Sequence, residues 1–367
     1  MLPLSVKKIQ LKNFRNLEEQ IIEFSEGINC IFGNNGNGKT NILEALYFII
    51  KRKSFRKNTS YPQILSVDGD NTEINFQSLF TDKVQQQDLS YSGKINENGS
   101  VWHLNGKSTN KKLNCGLVFI NPFDSQGFHN QSSIRRAWMD EYIGQISKDY
   151  KKMLTRHNKS LRFRNKLLAS KPSMYQNQIK AIDEEMYLSS VSLTQYRQQF
   201  VEEISPLIGK TFNELFSEEH HLEILLDTKI VSLEKKFYME LCEKNRIKDE
   251  ALGYTYYGIH KDDYVLLFDG LNSFDFCSLG QQKMSYLSLL FAYIQLFRYK
   301  FNSFPIVMMD DVSGELDEIR WQRLVEYLSN KKFQVLVTTA NDGFRKTLES
   351  IEEVLEMKVT SGVVEKF

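Results

Sequence analysis

Gly33-Asn34-Asn35-Gly36-Asn37-Gly38-Lys39-Thr40 is the stretch that organises the reading of this chain. It fits the pattern G-x-x-x-x-G-K-[ST], and its flanks supply the context that pattern needs. Before it, Ile28-Asn29-Cys30-Ile31-Phe32 reads as a strand ending at Gly33. After it, Asn41 to Ile49 reads as a helix with an apolar stripe. Glycines at these spacings let successive backbone N–H groups wrap a phosphate, and the following helix presents its positive end to the same anion. Lys39 would bring a point charge to β- and γ-phosphates, and the Thr40 hydroxyl a ligand to Mg²⁺. Gly33, Asn34, Asn35, Gly36, Asn37, Gly38, Lys39 and Thr40 are therefore expected to bind ATP. The competing reading is a Gly-rich strand–helix turn, although a chance match in a chain of this length has a probability of about one percent.

Two further segments fit the same chemistry. Ile306-Val307-Met308-Met309 is an apolar strand that delivers Asp310 and Asp311 at its C-terminal end. A phosphate-binding loop needs such an acid for its metal shell. Asp310 would reach Mg²⁺ through bound water, and Asp311 would act as general base on the attacking water. Catalysis is thus assigned to Lys39, Asp310 and Asp311, and metal binding to Thr40 and Asp310. Ser278-Leu279-Gly280-Gln281 precedes an apolar helix, so Ser278, Gly280 and Gln281 form a second candidate anion site. Taken alone, that segment is also an ordinary helix cap.

Outward from these motifs, residues 61–120 show short strand patterns with turn signals such as Asn96-Glu97-Asn98-Gly99, consistent with antiparallel sheet. From Lys148 to Lys171 there are nine Lys/Arg against one acid, Asp149, and Leu154, Leu161 and Leu168 recur every seven residues. A second seam runs through Ile179, Ile182, Met186, Leu193 and Phe200, with a turn at Lys171-Pro172-Ser173 between the two. This predicts an antiparallel helical hairpin. Strands are expected again at Tyr254–Gly258 and Tyr264–Phe268, with a hairpin turn at Asp269-Gly270. The expected organisation is α/β, with the sheet domain in two parts, 1–133 and 251–367, around an inserted all-α lobe at 134–250.

Composition narrows the function classes. There are 47 Lys+Arg and 46 Asp+Glu in 367 residues, a net charge of +1, which excludes a uniformly basic coat but leaves room for local basic patches. One such run is Lys51-Arg52-Lys53-Ser54-Phe55-Arg56-Lys57, whose Lys51, Arg52, Lys53, Arg56 and Lys57 are candidate DNA-phosphate ligands; the hairpin's basic run is another. A solvated face or an acidic protein partner is the alternative for both. Cys30, Cys115, Cys242 and Cys277 are scattered, and His220-His221 has no third ligand nearby, so a reduced compartment and a surface histidine pair are expected. Met284 to Phe297 is shorter than the ~20 residues of a membrane span, and Met1-Leu2-Pro3-Leu4-Ser5 does not open a signal peptide. A cytoplasmic protein without membrane contact is expected.

The order of loop, Ser-x-Gly-Gln segment and strand-borne acidic pair resembles the ABC-type P-loop ATPase head, and the 271 residues between Lys39 and Asp310 resemble its SMC-like branch. Finer matches are similar to the RecF family: Leu11-Lys12-Asn13-Phe14-Arg15-Asn16, Leu43-Glu44-Ala45-Leu46-Tyr47, Ser54-Phe55-Arg56, Ser133-Ile134-Arg135-Arg136, Met139-Asp140-Glu141, Arg164-Asn165 and Gly258-Ile259-His260-Lys261-Asp262-Asp263. The resemblance implies an ATP-dependent DNA-binding protein of gap repair and the SOS response. It would dimerise on ATP, with the Ser278 segment of one protomer meeting the γ-phosphate of the other, and assist RecA loading with RecR and RecO. Departures include Ile259 and Lys261, where the family usually has Pro and Arg, and a shifted Ser in Ser313-Gly314-Glu315-Leu316-Asp317. The nearest Gln to Phe119–Asp124, where a glutamine loop would lie, is Gln126. Thr338-Thr339 stands where transporters place a histidine, so a weak DNA-stimulated ATPase is expected. The runner-up is a head coupled to a protein effector rather than to DNA.

Overall fold

The computed structural model describes residues 4–56, 58–66, 72–312, 316–331, 333–349, 351 and 353–367, the side chains at 122, 123 and 349 excepted. In chain order the elements are β1 (Leu4–Lys12), β2 (Gln20–Glu23), β3 (Ile28–Phe32), α1 (Lys39–Lys51), α2 (Tyr61–Ile64), β4 (Glu73–Asp82), β5 (Gln87–Asn96), β6 (Gly99–Leu104), β7 (Lys107–Ser108) and β8 (Leu117–Ile120). There follow α3 (Pro122–Asn130), α4 (Ser132–Ile146), α5 (Lys148–Ser170), α6 (Tyr175–Leu215), β9 (Leu222–Asp227), α7 (Lys235–Leu252), β10 (Asp263–Phe268), β11 (Leu271–Asn272) and α8 (Ser273–Phe276). The chain closes with α9 (Leu279–Phe301), β12 (Ile306–Asp310), α10 (Glu318–Lys331), β13 (Val335–Thr339), α11 (Asp342–Glu349), β14 (Leu355–Thr360) and β15 (Val363–Lys366). Two compact units result, one of residues 1–125, 214–217 and 294–367, the other of 126–213 and 218–293. The boundaries expected at 133 and 250 fall inside the second unit.

The first unit holds two six-stranded sheets, antiparallel β2-β1-β4-β5-β6-β7 and mainly parallel β15-β14-β3-β13-β12-β8. The inner strands β3, β12 and β13 are buried along their whole length, which is why they read as mostly apolar runs rather than alternating ones. Helix α1 is buried at Ile42, Leu43, Ala45, Leu46, Phe48, Ile49 and Ile50, in a core that also takes Ile9, Phe76 and Phe80 from one sheet, Phe14 from the β1–β2 connection, and Met308, Leu336 and Met357 from the other sheet. The β3–α1 junction is thereby clamped in the hydrophobic centre of the unit.

The second unit is built differently. Helices α5 and α6 form the expected hairpin, with Lys171 in the left-handed conformation at the turn. The second seam lies inside as expected: Ile179, Ile182, Met186, Leu193 and Phe200 are all buried. The first seam is shifted. Leu154 and Leu161 are half-buried, and the seven-residue repeat that faces inward is Tyr150, His157 and Arg164. On that face the two charged or phenolic groups are matched within the unit, while His157 keeps Nδ1 3.1 Å from Ser189 Oγ and leaves Nε2 buried without a partner among the described residues. Arg164 binds Asp183 (2.6 Å), Asp249 (2.7 Å) and Thr255 Oγ1 (2.8 Å). Arg197 binds Asp140 (2.9 Å), Asp262 (2.8 Å), the Ile259 carbonyl (2.7 Å) and Tyr150 Oη (3.1 Å). Arg135 adds two bonds to Asp263.

Tyr254–Gly258 is not a strand, contrary to the expectation from sequence. Asn165 Oδ1 accepts the Thr255 N–H and Asp249 Oδ1 accepts the Tyr256 N–H, so side chains take the donors a ladder would use. The sheet of this unit instead runs β11-β10-β9 and includes Leu222–Asp227, a strand the sequence reading did not place. Half-buried His220 and exposed His221 precede it, with Nδ1 of the first 2.7 Å from Asp269 and Nε2 of the second 3.0 Å from Glu223. Among the described residues no helix is long and apolar enough to cross a membrane.

Candidate functional site

In the first unit, β3 ends at Phe32 and the chain turns through Gly33–Gly38 into α1. Gly33 has φ +147°, and a Cβ there would stand 2.3 Å from the Val359 carbonyl oxygen of β14; Gly38 has φ +109°, with Asn16 Oδ1 2.8 Å from where its Cβ would be. Neither position accepts a side chain. Asn37 Nδ2 donates to the Val359 carbonyl, Gly362 N donates to the Asn37 carbonyl, and Asn16 Nδ2 donates to the Gly36 carbonyl. The loop is thus held from outside by β14, the β14–β15 turn and the β1–β2 connection, while its crest, Asn34-Asn35-Gly36, is exposed.

Lys39 is 7 % exposed, and its ammonium donates to the carbonyls of Gly33 (2.8 Å) and Asn34 (3.1 Å) across the loop. Burial lowers its pKa, with Asp311 and Asp310 pulling the other way. Thr40 Oγ1 donates to Asp310 Oδ1 at 2.8 Å, and Thr338 Oγ1 donates to the same oxygen at 2.8 Å. Burial raises the Asp310 pKa, while the two hydroxyls oppose that shift. Asp311 is exposed and left-handed at φ +47°, with its N–H donated to Thr338 Oγ1. Such backbone strain in a carboxylate residue concentrates at functional sites. The structure therefore brings Lys39, Thr40, Asp310 and Asp311, distant in sequence, to one place.

A hydroxyl and a carboxylate within hydrogen-bond distance are a hard-oxygen pair of the kind Mg²⁺ takes. An ammonium whose hydrogen bonds among the described residues go to two backbone carbonyls can exchange them for phosphate oxygens at little loss. The residues present fit ATP with Mg²⁺.

A second layer lies behind the loop. Glu44 on α1 is fully buried and accepts from Arg15 (2.8 and 3.1 Å), Ser54 Oγ (2.6 Å) and Arg56 (3.1 Å). Arg56 also donates to Asn41 Oδ1 at 2.7 Å. Arg52 donates to Tyr91 Oη, Thr109 O, Asn110 O and Lys111 O and lies 4.3 Å over the Trp102 ring. Two of the five bases assigned to DNA phosphates, Arg52 and Arg56, are thus committed to contacts within the unit. Lys51 is half-buried, Lys53 is exposed, and Lys57 lies outside the described residues, as does Ser313-Gly314-Glu315. Sequence reasoning placed Arg15 and Glu44 only in a resemblance; their signal is an apolar helix carrying one acid that must be paid for by a cation.

In the second unit, Ser278 caps α9: its Oγ accepts the Gln281 N–H (3.3 Å) and Gln281 Oε1 accepts the Ser278 N–H (2.9 Å). This reciprocal box leaves Gly280 exposed beside exposed Leu279 and Phe276.

Comparison with known proteins agrees with this architecture. Residues 5–363 match the family described as RecF/RecN/SMC N terminal domain. The DNA replication and repair protein RecF of Protochlamydia amoebophila is 30% identical over 369 residues, covering 96% of this chain and 99% of that protein. The RecF of Streptococcus suis strain 05ZYH33 is 29% identical, covering 95% and 96%. Among solved structures, the recombination mediator protein RecF-ATPrS of the RecFOR pathway superposes with a TM-score of 0.84 at 25% identity, covering 100% of this chain and 98% of that one. An Smc head domain from Pyrococcus furiosus superposes with a TM-score of 0.61 at 16% identity, covering 99% and 96%, and shares the fold. By its family match and its full-length similarity to these relatives, the chain belongs to the RecF family.

Proposed function

We propose that this protein is an ATP-dependent DNA-binding mediator of recombinational gap repair, acting in the cytoplasm with RecR- and RecO-like partners to load RecA in the SOS response. The observation that carries the reading is the Lys39–Thr40–Asp310 constellation in a chain similar along its whole length to RecF-ATPrS. On binding, Lys39 would move from the Gly33 and Asn34 carbonyls to the β- and γ-phosphates. Thr40 would ligate Mg²⁺ and Asp310 would orient its water shell, the metal itself supplying charge neutralisation at the phosphates. Asp311 would hold the attacking water as general base. Ser278, Gly280 and Gln281 would meet the γ-phosphate of a second protomer, making the dimer ATP-dependent. Thr338-Thr339 offers hydroxyls where a titrating imidazole would speed turnover, which supports slow, DNA-stimulated hydrolysis. Of the basic run after α1, Lys53 is the described member best placed for phosphate contact.

The test is DNA retention and oligomeric state with and without Mg-ATP, for wild type, Lys39→Ala and Ser278→Arg. ATP should drive dimerisation and salt-sensitive DNA binding in the wild type, and both variants should lose it. Dimerisation by ATP with no DNA retained at low salt would transfer the reading to a protein effector.

A further inference from the structure

Helix α5 divides its residues sharply by face. Tyr150, His157, Arg164 and Leu168 point inward and are buried. Lys148, Lys152, Lys159, Arg162 and Lys166 are all exposed. At 3.6 residues per turn these five fall within about 80° of one another, diametrically opposite the buried face. Lys151 and Arg156 flank them, also exposed. The one acid of the helix, Asp149, pairs with Lys152 at 3.1 Å, and Arg156 lies 3.4 Å from Glu185, exposed pairs that salt screens readily. Among the described residues no carboxylate is in ion-pair contact with Lys148, Lys159, Arg162 or Lys166.

We infer that this face of α5 is a docking surface for the phosphate backbone of duplex DNA. The inference rests on the DNA-binding reading above and adds the surface to it. Lys148 to Lys166 span about 27 Å of helix, roughly eight base-pair steps of duplex. A protein partner would want an apolar centre in its footprint; among the described residues of α5 the one exposed large apolar side chain is Phe163, at the edge of the stripe. A membrane surface would want an apolar face to insert, and that of α5 is already buried within the unit. A regular row of cations without an apolar centre matches a regular row of phosphates, and because no base-reading group accompanies it, binding is independent of sequence.

The experiment measures affinity of the full chain in Mg-ATP for a duplex of about 30 base pairs between roughly 50 and 200 mM salt. It compares wild type, Lys159→Gln/Arg162→Gln/Lys166→Gln, and a control of equal charge change on α7, Lys235→Gln/Lys236→Gln/Lys244→Gln. The stripe variant should lose more than tenfold in affinity at low salt, and its log–log salt slope should flatten by about three units, close to one per lost contact. The control should behave as wild type. Lys159→Arg/Lys166→Arg should keep the slope, which separates lost charge from lost folding. A stripe variant indistinguishable from wild type overturns this surface and leaves the DNA reading intact, whereas a wild type that holds no duplex at low salt overturns both. Equal competition by polyglutamate and duplex for the stripe assigns it to an acidic protein and also overturns the inference.

Discussion

The core of the second unit and the loop site of the first bury charge in opposite ways. In the second, Arg164 and Arg197 are 2 % and 1 % exposed, and each has its donors shared among two carboxylates and further oxygen acceptors. In the first, Lys39 and Asp310 sit under an exposed loop crest, the lysine held by backbone carbonyls and the aspartate by two hydroxyls. A sealed network of paired charges fixes one arrangement of helices and strands, and breaking it leaves an uncompensated buried charge. A half-matched pair beside an open loop can change partners. Buried charge thus serves architecture in the core of the second unit and ligand exchange beside the loop of the first.

The largest expected effect breaks the sealed network. Arg197→Met leaves Asp262 and Asp140 without their cation and should cost about 3–5 kcal/mol of stability, read as a lower urea midpoint; a loss under about 1 kcal/mol would show that the network is not structural.

Acidification should find the same unit. Burial pushes the pKa of His157 down to about 3 and that of His260 down to about 4. Their folded pKa values lie below the unfolded value, so the unfolded chain takes up protons that the native state refuses. Stability is therefore intact above about pH 6.5 and lost as pH falls from there towards 4 and 3. Each histidine should contribute at most about 2 kcal/mol of loss between pH 7 and 5, and Asp183 and Asp262, whose pKa values burial raises, run partly against it. Urea midpoints at pH 7, 6 and 5 should fall in that order, and His260→Gln should flatten the dependence. An unchanged midpoint at pH 5 would contradict the burial of these rings.

The smallest effect lies in the first unit. Glu44→Gln keeps the shape but removes the charge that Arg15 and Arg56 share, and should cost about 1–3 kcal/mol while weakening ATP binding. Calorimetric titration with Mg-ATP reads both. Normal affinity would show that the layer behind the loop is not coupled to it.

What was legible in the sequence follows the same division. The Gly33–Thr40 loop could be read because Gly33 and Gly38 occupy positions where a Cβ would collide, so residue type reports backbone geometry directly. Strands β3 and β12 could be read because burial on both faces leaves a mostly apolar run. The second unit resisted. Its inward heptad is Tyr150-His157-Arg164, which a search for apolar periodicity passes over in favour of Leu154-Leu161-Leu168. The Thr255 N–H finds its partner on Asn165, 90 residues away, so nothing local marks Tyr254–Gly258 as a loop. Arg52 and Arg56 looked like members of a free basic run because their acceptors, among them Glu44, Tyr91 and Thr109, lie on other elements.

The nucleotide site is best probed by the thermal midpoint of wild type and Lys39→Ala with and without Mg-ATP. Without nucleotide the two proteins should show equal midpoints, because the hydrogen bonds of Lys39 to the Gly33 and Asn34 carbonyls are exchangeable. Adding nucleotide should shift the wild type alone upward, by about 2.7 kcal/mol at a hundredfold excess over the dissociation constant. No shift in the wild type, or an equal shift in Lys39→Ala, would contradict a nucleotide site at Lys39.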